Sequence, residues 1–481
     1  MTKNSVHYKI RLGTLVTTIA LTGCAEKTPP KPNFIIIFTD DQGYNDLSCF
    51  GGNHVNTPNI DQLAEEGIRL TSFYAQPVST PSRAALITGS YPKRIGLDWG
   101  SNWGVLLAND SKGLHPDEIT IPEILKEQGY ATGIFGKWHL GDQPEFLPTR
   151  QGFDEFFGIP YSHDIHPYHP WLGFPPLPLY EGENIIETDP DADYLTQQIT
   201  QKAVKFIETH KGSPFFLYVP HPLPHVPLHA SPPFMEGVSK EIINKLAEED
   251  TLIDYATRDS LFPQVIDEID WSVGEIIQAL KNNKLDKNTL VIFTTDNGPG
   301  SSMASAKPLR GRKGSVYEGG VRVPAIVWWP GKIPANHVSD EILTIMDLLP
   351  TFALLAGAEA PQDRIIDGKD IWPVLCNQPD ARSPHDRYFY HAGKRLAAVR
   401  SGKWKLLRSS GDQFELYNLE NDISEEINLA HEYPEMVQKL EKYMLDFEEE
   451  LLDSANIRPY GYTGKEAPAL EYKVQMPWMT D

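Results

Sequence analysis

Cysteine is scarce in this chain, with 3 in 481 residues. That excludes a disulfide framework, so stability has to come from a buried core. Positive charge is also short: 43 Lys and Arg stand against 65 Asp and Glu, a formal net charge of −22. An exterior this acidic argues against nucleic acid as a partner and repels any polyanion at long range. Screening confines that field to about 8 Å at physiological ionic strength, so a local basic pocket can still hold an anion. Beyond residues 12–21 no apolar run is long enough to span a bilayer, and there is no internal repeat. What is present, 40% hydrophobic and 22% charged residues, suffices for one large α/β domain and a smaller second unit.

Lys3, Lys9 and Arg11 precede the apolar run, and Leu21-Thr22-Gly23-Cys24 follows it, the layout of an export signal. These last four residues resemble the lipobox of bacterial lipoproteins, which implies lipidation of Cys24 as the first residue of the mature chain. A plain signal peptide cleaved nearby is the simpler alternative. The expected division is a signal at 1–24, a tether at 25–32, a catalytic domain at 33–381 and a C-terminal subdomain at 382–481. The expected location is the periplasm or the outer membrane, with membrane contact through the lipid anchor only.

Residues 33–39 and 290–295 are short apolar runs that end in Asp40-Asp41 and Asp296-Asn297-Gly298, as buried parallel strands with acidic carboxyl ends. Ligands gather at such ends in open α/β sheets, so the two could meet at one site. Residues 131–135 and 215–219 are further strand candidates. Helical spacing marks 194–210 and 258–282, the latter with a stripe of Ile266, Ile269, Val273, Ile276, Ile277 and Leu280. After 382 the pattern changes to strand-like pieces at 387–391, 397–407 and 414–419, then a helix at 434–451. The fold class expected is α/β: a large mixed, mostly parallel sheet sandwiched by helices, with a smaller C-terminal antiparallel sheet plus helix.

The most specific segment is Ser79-Thr80-Pro81-Ser82-Arg83 with Thr88-Gly89 downstream. Alone it could be an ordinary helix cap with Pro in the first turn. A helix beginning near Ser82 would also aim its free amides at an anion beside Ser79. The segment resembles the signature of the type I sulfatases, arylsulfatase A-like and of the serine type. In that family the first residue is oxidised to formylglycine, whose hydrated aldehyde supplies the nucleophile. The resemblance implies this modification of Ser79, and with it a serine-type sulfatase-maturing radical enzyme as a partner.

Other segments extend the resemblance in family order. Asp40, Asp41, Asp296 and Asn297, with the oxidised Ser79, resemble the ligands of a single Ca²⁺, and hard oxygen donors suit that ion. Gly136-Lys137-Trp138-His139-Leu140-Gly141 matches a family segment in which Lys137 and His139, if the chain is extended, share a face. His225, in Pro224-His225-Val226-Pro227, is expected to be the general acid, with His221 and His229 as competitors. Lys313 resembles the second sulfate-binding lysine, although Arg312 stands where many members have another residue, and Arg83 is expected to brace the nucleophile and its metal. Ser162, in Gly158-Ile159-Pro160-Tyr161-Ser162-His163-Asp164, resembles a serine that helps hold the nucleophile or the sulfate. His163 is a candidate substrate contact, Lys307 and Arg310 are solvated loop charges or substrate contacts, and His166, also a candidate contact, could with His169 and Trp171 line sugar subsites or merely fill a Pro-rich loop.

The implied reaction is hydrolysis of a sulfate monoester. The cation and the two lysines hold the sulfate, the aldehyde hydrate attacks sulfur in line, and His225 protonates the leaving oxygen. His139 would then take a proton from the remaining hydroxyl, which expels sulfate. The expected substrate is a sulfated oligo- or polysaccharide, a marine galactan such as carrageenan (galactose 4-sulfate type), with glycosaminoglycan sulfates of N-acetylgalactosamine or glucosamine as the alternative. Competing readings are a phosphodiesterase or phosphonate hydrolase of the same superfold, and an idle, surface-anchored glycan-binding descendant.

Overall fold

Strand Asn33–Thr39 is buried throughout because its side chains alternate between two cores. Phe34, Ile36 and Phe38 enter one, and Ile35 and Ile37 the other. The same alternation runs through Thr289–Thr295 and Phe215–Pro220, which flank it in parallel. A computed structural model describes residues 1, 30–248, 253–409, 413–466 and 471–473. The signal segment, Cys24 and most of the tether lie outside the described residues.

Among the described residues eleven strands make the main sheet. Its order is His337–Ser339, Ile68–Tyr74, Arg322–Trp328, Thr289–Thr295, Asn33–Thr39, Phe215–Pro220, Ala131–Lys137, Glu155–Ile159, Pro178–Glu181 and Asn184–Thr188, with Leu343–Thr344 also on Ile68–Tyr74. The five central strands from Thr289–Thr295 to Glu155–Ile159 are parallel. The mixed, mostly parallel sheet sandwiched by helices is therefore as expected. Leu195–His210 and Phe262–Asn282 send Ile199, Ile266, Ile269 and Val273 into one core, and Ser79–Thr88 and Leu348–Ala356 send Leu86 and Phe352 into the other. Cys49 and Cys376 are free thiols, and no helix among the described residues is long and apolar enough to cross a membrane.

Element ends differ from expectation where turn chemistry intervenes. The long helix starts at Phe262 rather than at residue 258, because Asp254 caps a separate short helix, Tyr255–Asp259. The stretch 397–407 is two strands, Arg395–Ser401 and Trp404–Arg408, reversed at Gly402 with φ +55. With Tyr388–Ala392 and Phe414–Asn418 these form a four-stranded antiparallel sheet, on which Pro434–Glu450 packs through Leu440, Met444 and Phe447.

Register decides where the chemistry can be. Thr39 pairs with Thr295, so Asp40 and Asp296 leave the sheet side by side. Lys137 pairs with Ile159 and Phe38 with Pro220, which brings the residues after 137, 159 and 220 to the same edge. All five parallel strands thus deliver their carboxyl ends to one place.

Candidate active site

Ser79 is the first residue of its helix, not a residue ahead of it. The helix starts three residues earlier than expected because Ser82 already bonds back to Val78 O at 3.2 Å, which leaves the amides of Ser79 and Thr80 ahead of the first intrahelical bond. Each side chain of the motif has a separate attachment. Thr80 Oγ1 donates to His139 O at 3.1 Å and accepts from Leu106 N, and the Ser82 hydroxyl donates to Asp296 O. Arg83 donates to Lys137 O at 3.0 Å and to Asp296 Oδ2 at 2.9 Å.

The Ser79 hydroxyl faces two carboxylate oxygens, Asp296 Oδ2 at 2.7 Å and Asp40 Oδ1 at 3.1 Å. Around it Lys137 donates to Asp40, Lys313 Nζ to Asp41 Oδ2 at 2.8 Å, and Asn297 Nδ2 to Asp41 Oδ1 at 2.7 Å. Asp41 is held at φ +65, and Gly300 lies so near that a Cβ there would be 2.1 Å from Asp41 Oδ2. Strain of this kind in a non-glycine residue persists only where the surroundings enforce it.

The electrostatics follow from burial and close charges. Burial raises the Asp40 carboxyl, but Lys137 and Arg83 outweigh it and hold the group well below its usual range. Burial, with the charge of Asp40, pushes Asp296 up to about 6. Burial and the Lys137 and Arg83 charges hold His139 well below the usual imidazole range, so it is neutral at neutral pH. Its Nε2 sits 2.8 Å from Leu106 O, an acceptor, which puts the proton there and leaves buried Nδ1 with a free lone pair. His139 does not continue an extended strand as expected. It turns at φ +65, and it still lines the cavity over Ser79 because Pro160 O and Thr80 fix its backbone.

That cavity, about 280 Å³, is bounded by Ser79, His139, Ser162, His225 and Lys313, with Trp103 and Trp171 among its walls. His225 Nδ1 lies 2.6 Å from Val226 O, and Nε2 lies 3.6 Å from Asp41 Oδ2. Its two competitors face other partners: His221 meets Ser272 at 3.2 Å, and His229 meets Asp193 at 2.7 Å. Four candidate substrate contacts are not brought to this cavity. His163, bonded to Pro227 O at 2.9 Å, and His166 line a second cavity of about 180 Å³ with His229. Lys307 is exposed, so its long side chain is solvated. Arg310 stacks 3.9 Å from the Tyr317 ring and bonds Tyr417 and Glu425 O, tying its loop to the C-terminal sheet. Trp103 and Asp164 are wall residues that the sequence pattern does not single out. Trp103 lies in a loop with no periodic signal, and Asp164 is two residues past Ser162 in the expected segment.

The donor set fits a hard divalent cation. Asp40, Asp41 and His225 present ligand atoms within 4.8 Å of one another, and Asn297 Oδ1 is buried without a partner. Carboxylate and amide oxygens of this kind suit Ca²⁺ better than a soft metal.

Buried carboxylates, an anion-sized cluster of cations and a serine at a helix start define a hydrolase site for an anionic ester. Comparison with known proteins agrees. The sulfatase family model matches residues 32–358, and a model described as N-sulphoglucosamine sulphohydrolase, C-terminal, matches 312–450. The chain is 37% identical over 414 residues to N-acetylgalactosamine-6-sulfatase of Canis lupus familiaris, covering 81% of this chain and 74% of that one. It is 39% identical over 403 residues to arylsulfatase A of Homo sapiens, covering 78% and 74%. Among solved structures it is similar to Ps i-CgsB in complex with k-i-k-neocarrahexaose, at 31% identity and TM-score 0.74 over 90% of this chain and 95% of that one. The chain belongs to the sulfatase family and is a sulfuric ester hydrolase.

Proposed function

We propose that this sulfatase removes sulfate from a sulfated carbohydrate through a formylglycine made from Ser79, and that its substrate is a galactan of the carrageenan type. The observation that carries the first part is the surroundings of Ser79. One hydroxyl proton faces two carboxylate oxygens, so the site offers more acceptors than serine can serve. A hydrated aldehyde has two hydroxyls to offer there, and it supplies a nucleophile that can later release sulfate without a separate hydrolytic step. Its formation calls for a serine-type sulfatase-maturing radical enzyme.

Asp40, Asp41, Asp296 and Asn297 Oδ1 would hold one Ca²⁺, which neutralises charge on the sulfate oxygens when bound. Lys137 and Lys313 are placed to bind those oxygens, and the amides at the start of the helix add their positive end. Arg83 keeps Asp296 in place. His225, at the cavity wall, protonates the leaving sugar oxygen, and neutral His139 accepts a proton from residue 79. Ser162, in the cavity wall, is placed to border the sulfate or the nucleophile. The apolar run before Cys24 supports export and lipid anchoring in the periplasm or on the outer membrane.

Support for a galactan comes from the likeness to the structure holding a neocarrahexaose and from Trp103 and Trp171 at the cavity mouth, whose rings suit stacking on sugar. A second reading, a glycosaminoglycan N-acetylgalactosamine sulfate, is favoured by the 37% identity to N-acetylgalactosamine-6-sulfatase. Sulfate release from a panel of defined oligosaccharides decides between them. Turnover of carrageenan oligosaccharides well above chondroitin oligosaccharides is expected, and the reverse order would replace the galactan reading.

A further inference from the structure

The cavity over Ser79 contains one charged group with no part in the reaction above. Asp164 is 17% exposed, its nearest basic groups are His225 Nδ1, 3.9 Å from Oδ1, and His169 Nε2, 4.0 Å from Oδ2, and neither carboxylate oxygen has a hydrogen-bond donor among the described residues; Oδ1 is shut off from solvent, so Oδ2 is the oxygen a ligand can reach. Burial raises its carboxyl, but the neighbouring imidazoles of His225 and His163 outweigh it and hold the group well below the usual carboxylate range. An ionised oxygen with no donor in a half-enclosed cavity is poorly satisfied until a ligand supplies one.

What surrounds Asp164 narrows that ligand. Trp103 and Trp171, 42% and 46% exposed, line the same cavity, an arrangement of indole faces with an acceptor that fits a sugar ring presenting a hydroxyl. Lys313 is the cavity's one Lys or Arg among the described residues, and it belongs to the sulfate end. Lys473, near the mouth, directs its ammonium to the carbonyls of Pro167 and His169. A second sulfate or a carboxylate on the neighbouring carbon would therefore meet Asp164 with no strong cation to offset it.

We propose that Asp164 is a specificity-determining residue: it accepts a hydrogen bond from a free hydroxyl beside the sulfated carbon, so the enzyme takes a neutral, singly sulfated ring and rejects one with a second anionic group there. This rests on the sulfatase reading and narrows its substrate.

The test compares kcat/KM of matured full-length enzyme on a galactoside monosulfate and on the same galactoside with a second sulfate on the neighbouring carbon, with nitrophenyl sulfate as the readout of the reaction itself. The wild type is expected to prefer the monosulfate by at least about tenfold, since the disulfate loses a charge-assisted hydrogen bond and gains a repulsion. Asp164→Asn is expected to shrink that preference at least about fivefold, mainly through KM for the monosulfate. If Asp164 only positions His225, the variant loses kcat equally on both galactosides and the preference stands, which overturns the proposal. Absence of the preference in the wild type, or cleavage of nitrophenyl sulfate but of neither galactoside, overturns it without any variant having to fold. Failure on nitrophenyl sulfate as well overturns the sulfatase chemistry beneath it.

Discussion

At the carboxyl edge of the sheet, Asp40, Asp41 and Asp296 are buried with Arg83, Lys137 and Lys313. Where the C-terminal sheet meets the main one, Glu318 and Glu425 are buried with Lys405, Arg322 and Arg400. Both regions remove several charges from water, yet they are finished differently. Lys405 is fully buried and reaches Glu318 and Glu425 at 2.8 Å each, while Tyr74 donates to Glu318 at 2.6 Å and the Glu318 amide to Glu425 at 2.7 Å. That cluster is closed by ion pairs: Glu425 Oε1, which accepts no hydrogen bond of good geometry, still lies against the Lys405 ammonium. In the other, Asn297 Oδ1 and His139 Nδ1 lack partners, and Lys313 is 27% exposed at a cavity. A closed cluster holds parts together, whereas an open one waits for a ligand.

The closed cluster also supports the open one. Glu318 leads into Gly319-Gly320, and Gly298, directly after Asp296-Asn297, donates to Gly320 O at 2.9 Å and packs so tightly that a Cβ there would be 1.9 Å from Gly319 O. The loop carrying Lys313 is thus pinned from the C-terminal sheet.

This contrast can be broken or sharpened by three changes. Asp40→Asn should have the largest effect, lowering sulfate release by at least about a hundredfold, because it strips a ligand from an open site and leaves buried Lys137 without its carboxylate. Chelation should mimic it and added Ca²⁺ should reverse the chelation, as read by sulfate release and metal content. Lys405→Met should act on the fold instead, destabilising it by about 3–5 kcal/mol in urea unfolding, because it leaves buried Glu425 without its cation and Glu318 with only Arg322 and Arg400. If instead it costs activity and no stability, the assignment of roles is reversed.

The smallest effect concerns pH. Burial raises the Glu318 carboxyl, but Lys405, Arg322 and Arg400 outweigh it and bring it down to about 2 from an ordinary 4.5. A folded-state value below the unfolded one contributes stability that is full above the unfolded value and is lost as pH falls through the folded one. Melting temperature should therefore decline between about pH 4.5 and pH 2, and Glu318→Gln should flatten that decline.

Much of this was legible in the sequence, for physical reasons that also explain the misses. Uninterrupted apolar runs ending in Asp mark parallel strands and their acidic ends, so Asp40, Asp41, Asp296 and Asn297 could be placed together before the sheet order was known. The Ser79 segment was recognisable because nearly every side chain in it has its own tether. What local pattern does not encode is the path of loops. Nothing near Trp103 predicts that it reaches the cavity, and Arg310 resembles any solvated loop arginine until Tyr317 and Tyr417 are brought to it from the C-terminal sheet. The left-handed turn at His139 was missed for the same reason, since Pro160 and Thr80 impose it from elsewhere in the chain.

The central claim is that the working residue at position 79 is the aldehyde made from serine. It is tested most directly by measuring the mass of the peptide containing residue 79 in protein made with and without a serine-type maturing enzyme, alongside sulfate release from the same preparations. The account predicts a peptide lighter by two hydrogens only in the matured protein, with sulfate release in proportion to it. Full activity from unmodified Ser79, or a modified protein inert on sulfate esters and active on phosphate diesters, would contradict it.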